Sequence, residues 1–182
     1  MEVVLTSQSL ICKYQEAFQA NQEQKPISGQ QPQQLLTNQD WQIIHKVAAH
    51  KNRRSKRSGY AFEAKTLEGN VLFTGGASSG RKPHHLAIQD VVGEAIFKAM
   101  ELGYNRILIL SNSKGLVQVR NQARNPSWLE QTLLSDLNQF QQQGLATHYL
   151  FVPKEVISHV IDLAFVTTCF HVHHWRLNPN FV

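Results

Sequence analysis

The chain has 182 residues, of which 42% are hydrophobic, which is enough for one sizeable core but short for two. The formal net charge of +5 points toward polyanionic partners. The two cysteines do not indicate a disulfide framework, no apolar run is long enough to span a membrane, and the start lacks a signal-peptide pattern, so we predict a nuclear or cytoplasmic protein that is not secreted.

Residues 1–40 form a leader rich in glutamine. The prolines and the glycine in "QKPISGQQPQQ" break any helix, so this part reads as a polar leader or linker. The earlier stretch "SLICKYQEAF" could form a short amphipathic segment, or simply pack a few apolar side chains on the body. We predict a folded domain over 41–165 and a histidine-rich extension over 166–182.

Three strands are predicted at the start of the folded domain. "WQIIHKVAA" gives the first, and "YAFEAKT" and "NVLFTGG" form a hairpin around the turn "LEGN". These strands follow one another with short connections, so they are expected to run antiparallel.

Helices and strands then alternate. "HHLAIQDVVGEAIFKAMELGY" has apolar residues at helical spacing and ends at Gly103, and "RILIL" is a continuous apolar run typical of a central parallel strand. "WLEQTLLSDLNQFQQQG" is a second helix, "THYLFVP" a last strand and "EVISHVIDLAF" a last helix. The predicted order is βββαβαβα.

Three separated blocks carry a family resemblance. "TLEGNVLFTG", "AIFKAMELGYNRILILSNSKGLV" and "HYLFVPKEVISHVIDLA" resemble, in order and spacing, the ribonuclease H-like domains of plant retrotransposon-derived proteins. The resemblance spans about 41 to 165. It implies an α/β ribonuclease H-like fold, with a mixed five-stranded sheet of three antiparallel strands followed by parallel strands, flanked by helices.

The same resemblance implies a catalytic site that this sequence does not reproduce. An active ribonuclease H brings four carboxylates onto two divalent metal ions about 4 Å apart, which activate water and stabilise the leaving oxygen. The matching positions here are occupied by one valine, one isoleucine, one amide and one carboxylate, namely Val47, Ile88, Asn112 and Asp162.

Alternative ligands exist if the alignment of the first two positions slips. Asp40, Gln89 and Asp90 are then possible stand-ins. Asn112 cannot slip, because the flanking serines in "SNSK" fix its register.

Asn112 occupies the position of a metal-bridging aspartate. An amide offers a neutral oxygen and cannot supply the charge that holds two cations together. We therefore interpret Asn112 as a strand-end cap that bonds nearby backbone groups. The nuclease centre is predicted to be lost and no cofactor is expected, with Mg²⁺ needed only if catalytic activity survives.

A basic run lies between the first two predicted strands. It fits contact with nucleic-acid phosphates, a nuclear-import signal, or a solvated loop that protects an edge strand. The predicted nucleic-acid-binding residues are this run and one lysine after "RILILSNS", that is Lys51, Arg53, Arg54, Lys56, Arg57 and Lys114.

The tail "CFHVHHWRL" offers a weak metal pattern. If it is extended, Cys169, His171 and His173 lie on one face, where imidazoles two residues apart can share a metal. The tail could instead add a strand to the edge of the sheet or to a partner chain.

Three functions compete at this point. The first is a catalytically inactive module that binds RNA, DNA or their hybrid. The second is an adaptor that docks a protein partner through the leader or the tail. The third is an active, metal-dependent RNA/DNA-hybrid ribonuclease with substituted ligands. None of them involves a membrane.

Overall fold

The computed structural model describes residues 40–169 and the backbone of 174–177. Apart from Asp40, the predicted leader lies outside this part of the chain. Within the described part, none of the helices combines the length and the apolar character needed to cross a bilayer.

Three antiparallel strands form the first half of the sheet, as predicted. They are β1 (Ile43–Lys51), β2 (Ser58–Thr66) and β3 (Val71–Gly80), with β2 paired to both neighbours. A hydrogen bond closes the turn between β2 and β3: the Thr66 amide donates to the Asn70 carbonyl at 2.9 Å.

The long helix and the central strand also match the sequence patterns. Helix α1 (His84–Glu101) begins after Pro83, and Gly103 then adopts a φ of 85° that lets the chain leave the helix. Strand β4 (Arg106–Ser111) follows and pairs parallel with β1.

One helix was missed in the sequence. Helix α2 (Lys114–Arg120) has seven residues and fills the stretch to which no structure was assigned. Helix α3 (Trp128–Gln142) starts with a capping box between Ser127 and Glu130, and strand β5 (Ala146–Phe151) pairs parallel with β4.

The end of the chain adds to the sheet. A 3-10 turn (Lys154–Ile157) leads into helix α4 (Ser158–Thr167), which continues two residues beyond the end of the predicted helix. Strand β6 (His174–Leu177) then pairs antiparallel with β3, so the tail contributes an edge strand, one of the alternatives that its sequence left open.

The six strands lie in the order β5-β4-β1-β2-β3-β6. Side chains that alternate along β1 enter two apolar clusters: Val47 packs with α1 on one face, and Ala48 packs with α4 on the other. The predicted α/β fold, a mixed sheet of antiparallel and then parallel strands flanked by helices, is therefore confirmed.

Helix α4 approaches the sheet unusually closely. A Cβ atom placed on Gly59 would lie 2.3 Å from the Thr167 hydroxyl oxygen and 2.5 Å from the Ala164 carbonyl oxygen. On the next strand, a Cβ on Gly76 would lie 3.1 Å from the Thr167 methyl carbon. The two glycines thus make room for the last turn of α4.

A histidine lies inside the core on the α1 face of β1. His45 is fully buried between Phe62 and Phe73, whose ring centroids lie 6.2 and 5.5 Å from the imidazole. Among the described residues, neither ring nitrogen has a hydrogen-bond partner. Burial lowers the pKa of His45 to about 3, so the imidazole is neutral in the folded protein.

Candidate nucleic-acid interface

The site predicted from the sequence lies where β1 and β4 end side by side. The parallel pairing sets Val47 opposite Ser111, the last residue of β4. Strand β1 continues for four more residues to Lys51, which carries it about 13 Å further at the usual rise per residue. The β1–β2 turn therefore projects beyond the end of β4.

Two of the four positions that match metal ligands are part of the apolar core. Val47 is 0% exposed and Ile88 is 3% exposed, and both belong to the cluster between the sheet and α1. Hydrocarbon side chains donate no electron pair to a metal ion, so neither residue can serve as a ligand.

Asn112 does not form the predicted cap. The amide of Ser113 donates to the Ser111 hydroxyl at 3.2 Å, and the Ser113 hydroxyl accepts from the Leu116 amide at 3.4 Å at the start of α2. Asn112 itself is half-buried, and its side chain has no hydrogen bond within the described residues. The extended backbone of Ser113 suits the capping position, so the serines on either side do what was expected of Asn112.

The carboxylates of this region do not converge. Asp162 is exposed on α4, which packs on the opposite face of the sheet from α1. Of the stand-ins, Asp40 is exposed ahead of β1, and Asp90 bonds Lys82 at 2.9 Å and Ser79 at 3.0 Å. The third, Gln89, is half-buried and neutral.

Two Mg²⁺ ions, which the fold implies, do not fit these residues. Within the described parts of the chain, no three histidine, cysteine, aspartate or glutamate side chains come close enough to hold a metal ion. Cys169 is exposed, and the other two candidates of the tail, His171 and His173, lie outside the described residues.

The basic run forms the tip of the β1–β2 hairpin. The Asn52 side chain organises the turn by accepting hydrogen bonds from the amides of Arg54 and Ser55 at 2.9 and 3.2 Å. Four cationic side chains are exposed around this turn: Lys51, Arg53, Arg54 and Lys56. We refer to these four residues as the basic tip.

Arg57 differs from the four residues of the basic tip. It is half-buried, and its guanidinium donates to the Ser78 hydroxyl on β3 at 3.0 Å. The sequence grouped Arg57 with the exposed cations, but in the structure it fastens the hairpin to the neighbouring strand.

A second basic loop, which was not predicted from the sequence, lies beside the tip. The Ser58 hydroxyl donates to the Lys82 carbonyl at 2.7 Å, so the β3–α1 connection packs against the start of β2. Arg81 in this connection is exposed, whereas Lys82 forms an ion pair with Asp90. The basic letters "RKPHH" directly after β3 were the signal for this loop. Because β2 and β3 are antiparallel, the end of β3 lies beside the start of β2 and therefore beside the basic tip.

The histidine beside the tip adds little charge at neutral pH. Burial lowers the pKa of His50, and the nearby His84 lowers it further. His84 also approaches β1, with its Nε2 atom 3.0 Å from the Ala49 carbonyl oxygen. The positive charge of this end of the sheet therefore comes from lysine and arginine.

Lys114 lies at the same end of the sheet but on another element. It is exposed at the first position of α2, and its Nζ atom stands 5.4 Å from the ring centroid of Phe151 at the end of β5. The strand ends thus carry cations on both sides of Asn112.

Comparison with solved structures identifies the fold. LC11-RNase H1, isolated from compost and solved in complex with an RNA/DNA hybrid, superposes with a TM-score of 0.65 at 13% identity, over 70% of this chain and 97% of that one. RNase H1 of Halobacterium salinarum gives a TM-score of 0.59 at 14% identity, over 68% and 93% of the two chains.

A third structure agrees with these two. The N-terminal RNase H domain of a Mycobacterium tuberculosis protein gives a TM-score of 0.64 at 17% identity, over 71% of this chain and 94% of that one. No family model matches the sequence, and no curated protein matches it. The chain therefore has the ribonuclease H-like fold, at identities that establish the fold alone.

Proposed function

We propose that this protein binds nucleic acid, and an RNA/DNA hybrid in particular, at the strand end that carries the basic tip, and that it does not cleave what it binds. One observation carries this proposal: four exposed cations lie at an end of the sheet where apolar core residues occupy two of the positions that match metal ligands. A solved structure of the same fold contains an RNA/DNA hybrid, which supports the choice of ligand.

The cations suit recognition of a phosphate backbone. They lie on one short turn and on the loop beside it, so several can reach successive phosphates of the same strand. Contacts of this kind position a duplex without reading its sequence. Binding through the basic tip is therefore independent of base sequence and sensitive to salt.

The first test compares two double variants. Arg53→Ala with Arg54→Ala removes two charges of the basic tip, and the slope of log K against log salt should become shallower by about 1.8, at about 0.9 for each lost phosphate contact. Binding of a fluorescent RNA/DNA hybrid between low and moderate salt, followed by anisotropy, measures this slope.

The matched control removes two charges from the other end of the sheet. Lys98 lies in the last turn of α1 and Arg106 at the start of β4. The variant with Lys98→Ala and Arg106→Ala should keep the slope of the unmodified protein. Equal effects of the two double variants would show that binding follows net charge, and would contradict an interface at the basic tip.

The second test concerns cleavage. Incubation of the purified protein with a labelled RNA/DNA hybrid in Mg²⁺ or Mn²⁺ should release no more product than a reaction without protein, because Val47 and Ile88 cannot ligate a metal ion. Product analysis by denaturing electrophoresis measures this. Cleavage that disappears in the Asp162→Asn variant would establish an active ribonuclease instead.

A further inference from the structure

A cleft of about 130 Å³ opens between α1, α2 and α3. Its apolar lining comes from all three helices, with Ile88 on α1, Leu116 on α2, and Leu133 and Leu134 on α3. These side chains form the walls against which a flat apolar surface would pack.

Polar groups that can still form hydrogen bonds line the same cleft. Gln89 is half-buried, and its amide has no hydrogen bond within the described residues. The Arg120 guanidinium stands 5.0 Å from the centroid of the Tyr149 ring and its Nε atom is buried, so Arg120 forms part of the wall and offers no donor to a ligand. The Ser113 hydroxyl accepts one hydrogen bond, from the Leu116 amide, and can still donate its own proton. The Gln89 amide can therefore both donate to and accept from a ligand, and the Ser113 hydroxyl can donate to it.

An ion pair holds one wall of the cleft in place. Arg124 contacts Glu130 at 2.6 Å, and the Ser127 amide donates to the same carboxylate at 2.7 Å. Burial raises the pKa of Glu130, but the hydrogen bonds from Arg124 and Ser127 outweigh it and bring the pKa down to about 2. The carboxylate is therefore ionised at neutral pH, where it bonds Arg124 and the Ser127 amide beside the cleft.

The size of the cleft limits what can enter. Pockets for drug-sized ligands usually have about 300 to 1,000 Å³, whereas a cavity of about 150 Å³ holds a single benzene ring. The cleft, at about 130 Å³, therefore suits one six-membered ring and is small for a fused pair of rings.

The cleft faces the end of the sheet that carries the basic tip. Ser113 follows the last residue of β4 by two positions, and His85, in the first turn of α1, lies on the rim. His84, the neighbour of His85, contacts Ala49 on β1, two residues before the tip begins. A strand bound at the tip would therefore pass the mouth of the cleft.

We propose that the cleft receives one unpaired pyrimidine base of the bound nucleic acid. This proposal rests on the proposed function and adds that the surface selects nucleic acid with an unpaired pyrimidine. The ring packs between the apolar walls, and its polar edge meets the Gln89 amide and the Ser113 hydroxyl. A base that is already unpaired is favoured, because it does not first have to leave a base pair.

The test uses three RNA/DNA hybrids that differ in one nucleotide. One is fully paired, one has a single bulged uracil, and one has a single bulged adenine. The hybrid with the bulged uracil should bind about fivefold more tightly than the other two, which is the low end of the contribution of one stacked base. Competition measured by fluorescence anisotropy gives the ratio.

Two variants of the cleft and two matched controls locate the effect. Leu134→Trp fills the cleft and Gln89→Leu removes its free amide, so each should abolish the preference for uracil and leave binding of the fully paired hybrid within about twofold. Asn138→Trp on α3 and Gln118→Leu on α2 change exposed residues outside the cleft and should retain the preference.

The outcomes separate this proposal from the proposed function. Equal binding of all three hybrids, or a preference that survives both cleft variants, overturns the base-binding cleft while the interface at the basic tip stands. Absence of salt-dependent binding to every hybrid overturns both proposals.

Discussion

The Gly59→Ala variant is expected to lose about 3 kcal/mol of its free energy of unfolding, the upper part of the usual range for an overpacked site. The added methyl group would lie 2.5 Å from the Ala164 carbonyl oxygen and 2.8 Å from the Thr168 amide nitrogen. Both are backbone atoms, so no side-chain rotation relieves the clash, and α4 has to move away from β2. Urea unfolding followed by circular dichroism measures the loss.

The matched control is the same substitution in open space. Gly93 lies in the middle of α1, and nothing is found within 4 Å of an added Cβ. Gly93→Ala should raise the free energy of unfolding by about 0.5 to 1 kcal/mol, because alanine favours the helix. Similar changes in the two variants would contradict the close packing of α4 on the sheet.

The second large effect is a loss of stability in acid that originates in His45. The folded-state pKa of about 3 lies below 6.5, the ordinary pKa of a histidine side chain in water. Stability from the neutral imidazole is therefore complete above pH 6.5 and is lost as the pH falls toward 3. Linkage gives a loss of about 2 kcal/mol between pH 7 and pH 5, and about 5 kcal/mol once both states are protonated.

The His45→Leu variant isolates this contribution. Leucine keeps an apolar group of similar size between Phe62 and Phe73, and it cannot be protonated. Between pH 7 and pH 5, the free energy of unfolding measured in urea should fall by about 2 kcal/mol less in this variant than in the unmodified protein. His85→Leu, which changes an exposed histidine, should leave the difference between the two pH values unaltered. Parallel loss in all three proteins would contradict a neutral His45.

The sequence predicted the sheet well where apolar residues cover both faces of a strand. In β4, Ile107 and Ile109 enter the core beneath α1, whereas Leu108 and Leu110 enter the core beneath α4. The continuous apolar run "RILIL" follows from this double burial. The long helices were equally clear, because their apolar faces repeat over four or five turns.

Shorter elements were not predictable in the same way. Helix α2 has only seven residues with a glycine at its second position, so it repeats too few times for a periodic pattern to emerge. Its position depends on packing against β5 and β4, which local sequence does not encode.

The candidate site was predicted in part. Exposed charge at the β1–β2 turn followed from the basic run, but the different position of Arg57 depends on Ser78, 21 residues away. The contribution of Arg81 to this positive surface likewise could not be predicted, because it depends on the β3–α1 connection lying beside the turn. The cleft is built from three helices and therefore has no signature in any single stretch of sequence.

The burial of Val47 and Ile88 also restricts the order in which substitutions can be tolerated at this place in the fold. Val47→Asp or Ile88→Glu alone would put a carboxylate into the apolar cluster, where it costs several kcal/mol or takes up a proton. Only several carboxylates introduced together with divalent cations would offset that cost. A route that introduces these carboxylates one at a time therefore passes through intermediates that are less stable than the present protein.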